Sequence, residues 1–467
     1  MTANSRLIPL IIASALFMEN MDSTVIATSL PAIAADLGTD PIVLKLAFTT
    51  YLLSLTVFIP ISGWMADRFG ARHVFRVAIV VFTIGSIACG LATSLGGLVA
   101  ARALQGIGGA MMVPVGRIIL LRSIPKSELV DALAWLTIPA LLGPLVGPPI
   151  GGFITDQFGW RWIFWMNVPF GIAAVAFATT LMPHIEVDHV PPLDVKGFLL
   201  SSLGLSATVF GFTIMGRDLL PGWGPYALTL AGLAILALYL RHARTTPSPI
   251  LDLRLLRVPT FRAGVLGGSL FRVGVGAVPF LTPLMFQLGF GLSAFDSGMI
   301  TCAMAAGAIS MKFGAATLIR RFGFKRLLMA NGVLASLSIA VVGLLSPHNS
   351  YWLLLPVLFA GGFLRSLQFT AMNAMSYADM ENRDMSHATS LYTVIQHLSL
   401  SAGVVLAALV LEGAQYAKGE VRLAPEDFAI AFATVAVFAA LSVLWFRPLT
   451  SDAGAAVSGR QNGRGLD

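Results

Sequence analysis

Long apolar runs are the feature that most constrains what this chain can fold into. Fourteen of them follow one another, each about 20 residues long, with short polar connections between them. A helix of about 20 residues is long enough to cross the hydrocarbon core of a bilayer. Barrel strands would alternate polar and apolar residues over about half that length, and these runs do not alternate. The sequence therefore predicts an all-α polytopic membrane protein.

The composition excludes a water-soluble globular domain. Hydrophobic residues make up 56% of the chain and charged residues only 11%, whereas soluble domains carry about 25% charged residues. The connections are too short to hold an inserted soluble domain, and the longest lie near 242–260 and 412–427. The predicted spans are 7–29, 43–65, 74–93, 97–121, 131–154, 162–182, 194–215, 223–241, 261–288, 295–318, 327–346, 351–375, 387–411 and 428–446.

The basic residues predict the topology. With the N-terminus in the cytoplasm, 20 of the 30 Lys and Arg residues fall in cytoplasmic segments, 5 in external segments and 5 at membrane depth. Cytoplasmic loops are enriched in Lys and Arg, so we expect both termini in the cytoplasm. The net charge of +7 serves this topology and gives no reason to expect a nucleic-acid partner. Glu19 and Asp22 inside the first span argue against a cleaved signal peptide.

Two polar islands indicate an internal repeat. Residues 68–70 and residues 321–323 both read Arg-Phe-Gly and are followed by basic residues. The first island lies on a predicted loop between spans 2 and 3, and the second lies between spans 10 and 11. The offset of eight spans predicts two six-span halves with two spans inserted between them. Repeated bundles around a central cavity are a transporter architecture.

A second repeated sequence pattern supports the internal repeat, and together they define the predicted domains. Span 4 reads RALQGIGGAMM from Arg102 and span 12 reads RSLQFTAMNAM from Arg365, so that Arg, Leu, Gln and the final Met align. We predict a six-helix bundle over 1–183, a two-span insert with cytoplasmic linkers over 184–258, a second six-helix bundle over 259–449 and a disordered cytoplasmic tail over 450–467.

Four motifs stand in order on the first five spans. Span 1 carries an acid-x-Thr…Leu-Pro pattern, with Ala27 where an Asn is usual. The following motif positions are Asp22, Thr24, Leu30 and Pro31 on span 1; Gly63, Asp67, Arg68, Gly70 and Arg72 around the first island; Arg102, Gln105, Gly106 and Gly108 on span 4; and Gly143, Pro144, Gly147, Pro148, Gly151 and Gly152 on span 5.

Through these motifs, and through WRWIFWMNVPFG at 160–171, the chain resembles the major facilitator superfamily over about residues 7–447. Within it, the chain is similar to the fourteen-span drug:proton antiporters of the EmrB/QacA kind and looks most like their MdtD-type members. The resemblance implies proton-coupled export of small amphipathic compounds or drugs across the bacterial cytoplasmic (inner) membrane by alternating access. We expect no cofactor, and no His/Cys/Asp spacing suggests a metal site; no nucleophile–base spacing on a sizeable loop suggests an enzyme. The expected partners are protons, a small-molecule substrate and the bilayer. We expect the protein to be a monomer, and a periplasmic adaptor is a further candidate partner.

The buried acids suggest a proton-coupling site. A charge in the hydrocarbon costs roughly 3 kcal/mol or more and so is a functional candidate by default. Glu19 and Asp22 lie three residues apart, on one helix face, and two close carboxylates favour protonation of one of them. Arg102 would hold a proton off a neighbouring carboxylate. The alternatives are acids solvated at a water-filled mouth and an Arg102 that is a structural brace.

Three further sets of residues are functional candidates. The island residues Gly63, Asp67, Arg68, Gly70 and Arg72 form either a conformational latch, as the resemblance implies, or a topology signal. On span 5 the glycines permit close helix contact and the prolines kink the helix, and both properties agree with a pivot. The candidate cavity residues are Gln105, Arg117, Arg272, Arg365, Gln368, Asn373, Gln396 and His397.

A cavity lined by several of these cations would favour anionic cargo, so export of an anionic metabolite, such as a carboxylate or its metal chelate, is the alternative function. Two other classes remain weaker. A membrane enzyme needs clustered polar residues on sizeable loops, with nucleophile–base or metal spacing. A sensor or scaffold needs neither buried acids nor a pivot.

Overall fold

The structure of the protein, a computed structural model, describes residues 3–123, 129–182, 192–215, 221–247, 249–381, 384–419, 423–450 and 453–454. The helices are α1 Ala3–Asp36, α2 Lys45–Phe69, α3 Ala71–Gly90, α4 Leu95–Ser123, α5 Leu129–Phe158, α6 Trp162–Trp165, α7 Asn167–Leu181, α8 Val195–Thr213, α9 Gly224–Thr245, α10 Pro259–Arg262, α11 Gly268–Leu284, α12 Ala294–Phe322, α13 Phe324–Gly343, α14 Tyr351–Tyr377, α15 Met385–Lys418 and α16 Pro425–Phe446.

The all-α class and the number of spans are confirmed. Among the described residues, 13 helical segments are long and apolar enough to cross a membrane. Helix α5, with 30 residues, adds a further helix of membrane length.

The chain forms two compact units. Unit 1 comprises Met1–Ile250 with Ser293–Gly298, and unit 2 comprises Leu251–Leu292 with Met299–Asp467. In unit 1, α1 packs on α5, and α4 packs on both α2 and α3. In unit 2, α11 packs on α15 and α16, and α13 packs on α14 and α16.

The inserted helices α8 and α9 pack on each other, and α8 also packs on α2, so both group with unit 1. The four-part division of the chain stays a prediction. Apart from residues 450 and 453–454, the predicted tail lies outside the described residues.

The two Arg-Phe-Gly islands are helix junctions, not loops, so the predicted loop was wrong. Gly70 is the single residue between α2 and α3, with φ 84°, and Gly323 is the single residue between α12 and α13, with φ 72°. Glycine adopts positive φ without a steric penalty, which lets the chain turn within one residue. Asp67 and Arg72 therefore lie on helix ends, where their positions are fixed.

One predicted span end was also wrong, and two predicted spans contain irregular turns. Helix α15 extends to Lys418, well into the predicted connection 412–427, and ends at Gly419 with a left-handed φ of 66°. The predicted span 162–182 is divided into α6 and α7, and the predicted span 261–288 contains π-helical turns at Ala263–Gly267 and Met285–Gly289. Hydropathy reports apolar length and is blind to such local changes in backbone hydrogen bonding.

Glycines on α5 set its distance from α1. Gly143, Gly147 and Gly151 recur every four residues and face α1. A methyl group added at Gly143 would lie 3.0 Å from the Cβ of Asn20, and one at Gly147 would overlap the Oγ1 of Thr24. Small residues at these positions allow the two backbones to approach closely.

Gly147→Ala is expected to destabilise unit 1, because overpacking a close contact costs about 1–3 kcal/mol. The melting temperature of the purified protein in detergent measures this. Gly413→Ala on α15 is the matched control, since nothing lies within 4 Å of the added methyl group and alanine favours helix by about 1 kcal/mol. Equal melting temperatures for the two variants would contradict close α1–α5 packing.

Asp194 connects three parts of the inserted segment. One carboxylate oxygen accepts a hydrogen bond from the Gly197 N–H at 2.9 Å and pairs with His242 Nε2 at 2.8 Å. The other accepts from the Ile250 N–H at 3.4 Å. Partial burial alone would raise the pKa of Asp194, but the hydrogen bonds and the His242 charge together lower it below its ordinary value.

Asp194→Ala should lower the free energy of unfolding by about 1 kcal/mol, the usual contribution of a helix N-cap. Asp194→Asn keeps an acceptor for the cap and should lose less. Because the folded-state pKa is lowered, the carboxylate stabilises the protein above an ordinary pKa of about 3.9 and loses this effect as the pH falls through the folded-state pKa. The difference in melting temperature between wild type and Asp194→Ala should therefore persist at neutral pH and shrink below about pH 4. A difference that grows on acidification would contradict this assignment.

Candidate functional site

Asp22 is the centre of a buried polar network in unit 1. The Arg102 Nη1 atom donates a hydrogen bond to Asp22 Oδ2 at 2.6 Å. Gln105 Nε2 and Asn167 Nδ2 each donate to Asp22 Oδ1 at 2.8 Å. All four residues are buried. The carboxylate thus receives three donors, one of which is a cation.

Helix α4 presents two of these donors together. Arg102 and Gln105 lie three residues apart and so share a helix face, and Gln105 Oε1 also accepts from Arg102 Nη1 at 2.6 Å. Glycines bring α4 close to its neighbours: a methyl group at Gly106 would lie 2.6 Å from Ser54 on α2, and one at Gly108 would lie 2.5 Å from the Phe82 nitrogen on α3. The span 4 glycines therefore position Arg102.

A second ring of residues surrounds the network and was not predicted as functional from the sequence. The Arg102 guanidinium lies 4.2 Å from the centre of the Tyr51 ring, a cation–π geometry. Ser86 Oγ accepts from Asn167 Nδ2 at 3.0 Å, and Cys89 Sγ lies 3.7 Å from Gln105 Oε1. Asn167 stands in the stretch 160–171, where a polar amide within an apolar span was the available signal.

Glu19 has different surroundings from Asp22, although the two lie one turn apart on α1. Its Oε2 atom is buried and has no hydrogen-bond partner among the described residues. The two neighbouring acids, which the sequence could not tell apart, therefore differ in structure. Both carboxylate oxygens of Asp22 accept hydrogen bonds, whereas Oε2 of Glu19 accepts none from the described residues.

Unit 2 contains a buried cation of a different kind. Arg272 on α11 is fully buried, and none of its three guanidinium nitrogens has a hydrogen-bond partner within the described ranges. The guanidinium lies 4.4 Å from the centre of the Tyr392 ring and 5.9 Å from that of Phe369. Arg272 is thus held by aromatic faces, without a described carboxylate.

The repeat-related residues of unit 2 have different partners from those of unit 1. Arg365 donates from Nε to the Gly361 carbonyl at 2.9 Å and from Nη2 to Met304 Sδ at 2.9 Å. Gln368 donates to the Leu328 carbonyl at 3.0 Å and accepts from Asn331 Nδ2 at 2.9 Å. Both side chains therefore join helices within unit 2.

The other candidate cavity residues vary in exposure. Arg117 and Asn373 are exposed, and Gln396 and His397 are half-buried. His397 Nδ1 is buried and has no hydrogen-bond partner in the described part of the chain. Lys312, also predicted at membrane depth, is exposed and donates to Thr370 Oγ1 at 2.8 Å. A role for these residues in a cavity stays a prediction.

The predicted latch residues have defined partners in unit 1. Asp67, in the last turn of α2, forms an ion pair with Arg122 at 2.9 Å, in the last turn of α4. Arg72 donates to the carbonyl of Thr179 on α7. Arg122 was not predicted, because no local pattern connects it with a residue 55 positions earlier.

The remaining motif residues make few close contacts or lie within an unbroken helix. Arg68 is exposed, and a methyl group added at Gly63 would meet nothing within 4 Å. Helix α5 continues through Pro144 and Pro148, and Gly152 lies against the Ala294 carbonyl within unit 1. The pivot stays a prediction.

Solved structures show the same fold. The POT family transporter PepTSo aligns with a TM-score of 0.70 at 17% identity, over 98% of this chain and 99% of that one. A D-xylose-proton symporter aligns with a TM-score of 0.67 at 15% identity, over 96% and 98% of the two chains. The human organic anion transporter MFSD10 aligns with a TM-score of 0.61 at 13% identity, over 96% and 100%.

Sequence relatives cover nearly the whole chain. The protein named "Putative multidrug resistance protein MdtD" of Salmonella heidelberg (strain SL476) is 36% identical over 448 residues, which are 95% of this chain and 94% of that protein. The protein of the same name in Salmonella typhi is 35% identical over the same coverage. The family model described as Major Facilitator Superfamily matches residues 12–404 and 274–464. The chain therefore belongs to the Major Facilitator Superfamily, as its motifs and repeat predicted.

Proposed function

We propose that the protein exports small amphipathic compounds in exchange for protons across the bacterial cytoplasmic membrane by alternating access. The observation that carries this proposal is the buried Asp22–Arg102 pair with its amide donors. Ionisable groups at membrane depth mark ion and substrate pathways. The name of the Salmonella relatives supports a drug-like cargo.

The pair makes protonation costly unless the surroundings rearrange. A proton placed on Asp22 would leave the buried Arg102 without a counter-charge, and breaking a buried pair is strongly unfavourable. Proton occupancy and helix arrangement are therefore coupled through the network. Coupling of this kind is what an antiporter requires, because a ligand shifts a conformational equilibrium only through differential affinity for the two states.

The available driving force is bounded. One charge moving through 100 mV supplies about 2.3 kcal/mol, and one pH unit supplies about 1.4 kcal/mol. Together these would support roughly a 500-fold gradient per proton, if each cycle carries one net charge.

The Asp67–Arg122 pair fits the proposed latch. It joins the ends of α2 and α4, which our topology places on the cytoplasmic side. An ion pair that exists in one facing state and is released in the other would favour the first state, because its interaction energy is then state-dependent.

Asp22→Asn and Arg102→Ala should each abolish proton-driven efflux while leaving expression intact. The measurement is uptake of a cationic dye such as ethidium into inverted vesicles, whose cytoplasmic face is outward, under an imposed pH gradient with an acidic lumen. Asp36→Asn is the matched control, because Asp36 lies on the same helix and pairs with Arg161 at 2.6 Å, but on the exposed surface. Full transport by Asp22→Asn would remove Asp22 and Arg102 from the coupling site.

A second candidate function is export of an anionic metabolite, such as a carboxylate or its metal chelate, and Arg272 favours it. A buried charge without a partner is unfavourable, and guanidinium presents several donors in a geometry that matches a carboxylate. An anion that reached Arg272 would supply the missing acceptors. Because Arg272 is fully buried here, such contact requires another conformation.

Counterflow in proteoliposomes distinguishes the two cargo classes. If the cargo is anionic, wild type should exchange a labelled organic anion such as citrate, and Arg272→Gln should lose this exchange. Arg254→Gln is the control, since Arg254 is also an arginine of unit 2 but is exposed and pairs with Asp252 at 2.9 Å. Exchange of cationic dyes alone by wild type would rule out the anionic version.

A further inference from the structure

The geometry points to a division of roles between the two acids of α1. We infer that Asp22 is a permanent anion that orders the network, and that Glu19 is the group that takes up and releases the proton. This inference rests on the proposed function for its purpose, but its test below does not depend on transport.

Asp22 is committed to its donors. Its Oδ2 faces Arg102 Nη1 at 2.6 Å, and its Oδ1 accepts from both Gln105 and Asn167 at 2.8 Å. Hydrogen bonds and a neighbouring cation both favour the charged form of a carboxylate. A proton could bind Asp22 only after a donor had left and Arg102 had lost its counter-charge.

Glu19 is in the opposite situation. Its Oε2 is buried without a hydrogen-bond partner in the described part of the chain. A buried carboxylate oxygen without a donor is unfavourable, and a neutral carboxyl group is much less costly to bury than an ion. The position of Asp22 one helical turn away adds repulsion between two negative charges. A protonated Glu19 removes both costs at once.

The neighbouring groups do not offer Glu19 a counter-charge of its own. The charged or titratable groups that act on this turn of α1 are Asp22 on the same helix, Tyr51 on α2, Cys89 on α3 and Arg102 on α4. Helix α5 meets the turn through Gly143, and α7 contributes the neutral amide of Asn167 to Asp22. The cation nearest the acids, Arg102, already donates to Asp22 and Gln105.

Gln105 and Asn167 are then positioning residues. They hold Asp22 ionised, and the fixed negative charge in turn makes Glu19 responsive to its surroundings. A change in the access of water to Glu19 would bind or release a proton without breaking the Arg102 pair.

The test is infrared difference spectroscopy of the purified, reconstituted protein on acidification, which detects the C=O stretch of a newly protonated buried carboxyl group. We expect a band in wild type and its complete loss in Glu19→Gln. Glu426→Gln, an exposed glutamate in the first turn of α16, is the control and should keep the band. Melting curves establish that each variant is folded.

Either of two results overturns the inference: a band that survives in folded Glu19→Gln, which would place the proton on another acid, or the absence of any band in wild type. Because Glu426→Gln keeps both acids of α1, its comparison with Glu19→Gln is decisive. Failure of the proposed function would look different. In that case wild type would show the Glu19 band but no dye transport driven by a pH gradient.

Discussion

The structure of unit 1 depends on one ion pair that the bilayer makes costly to leave incomplete. Asp22 and Arg102 lie at membrane depth, where a single unpaired charge is strongly unfavourable. The donors that complete the pair come from α4 and α7, and Tyr51 of α2 lies beside the guanidinium. The glycines of α4 and α5 serve this arrangement, because they let the helices approach closely enough for the side chains to meet.

The two units use the same repeat for different ends. Arg102 and Gln105 in unit 1 and Arg365 and Gln368 in unit 2 occupy matching positions of one sequence pattern. In unit 1 they serve a carboxylate, whereas in unit 2 they bind backbone carbonyls, a thioether and an amide. Arg272 is buried beside the Tyr392 ring and has no carboxylate partner among the described residues. The buried arginine Arg102 of unit 1 is therefore neutralised by a carboxylate, whereas the buried arginine Arg272 of unit 2 has no described carboxylate.

The sequence predicted what depends on local pattern and missed what depends on distant partners. Apolar length identified the spans, and the Arg-Phe-Gly islands identified the repeat, although a single glycine turn replaced the predicted loop. The motif residues pointed to Asp22 and Arg102, but nothing in the order of residues connected Asn167 with Asp22 or Arg122 with Asp67. Those contacts span 145 and 55 positions. The difference between Glu19 and Asp22 likewise arises from neighbours on other helices.

One proton on Glu19 shifts the protein between conformations only if those conformations differ in how they stabilise the charge of Glu19. Side chains three residues apart on a helix lie about 6 Å apart, and two unit charges at that separation repel by about 2.8 kcal/mol at an effective dielectric constant of about 20. That energy corresponds to a factor of about 100 in a two-state equilibrium. It also lies within the roughly 3.7 kcal/mol that one proton supplies from 100 mV and one pH unit. A conformation that admits water to Glu19 offsets this repulsion. Protonation of Glu19 therefore changes the balance between that conformation and the buried one by an amount that the membrane gradient can supply.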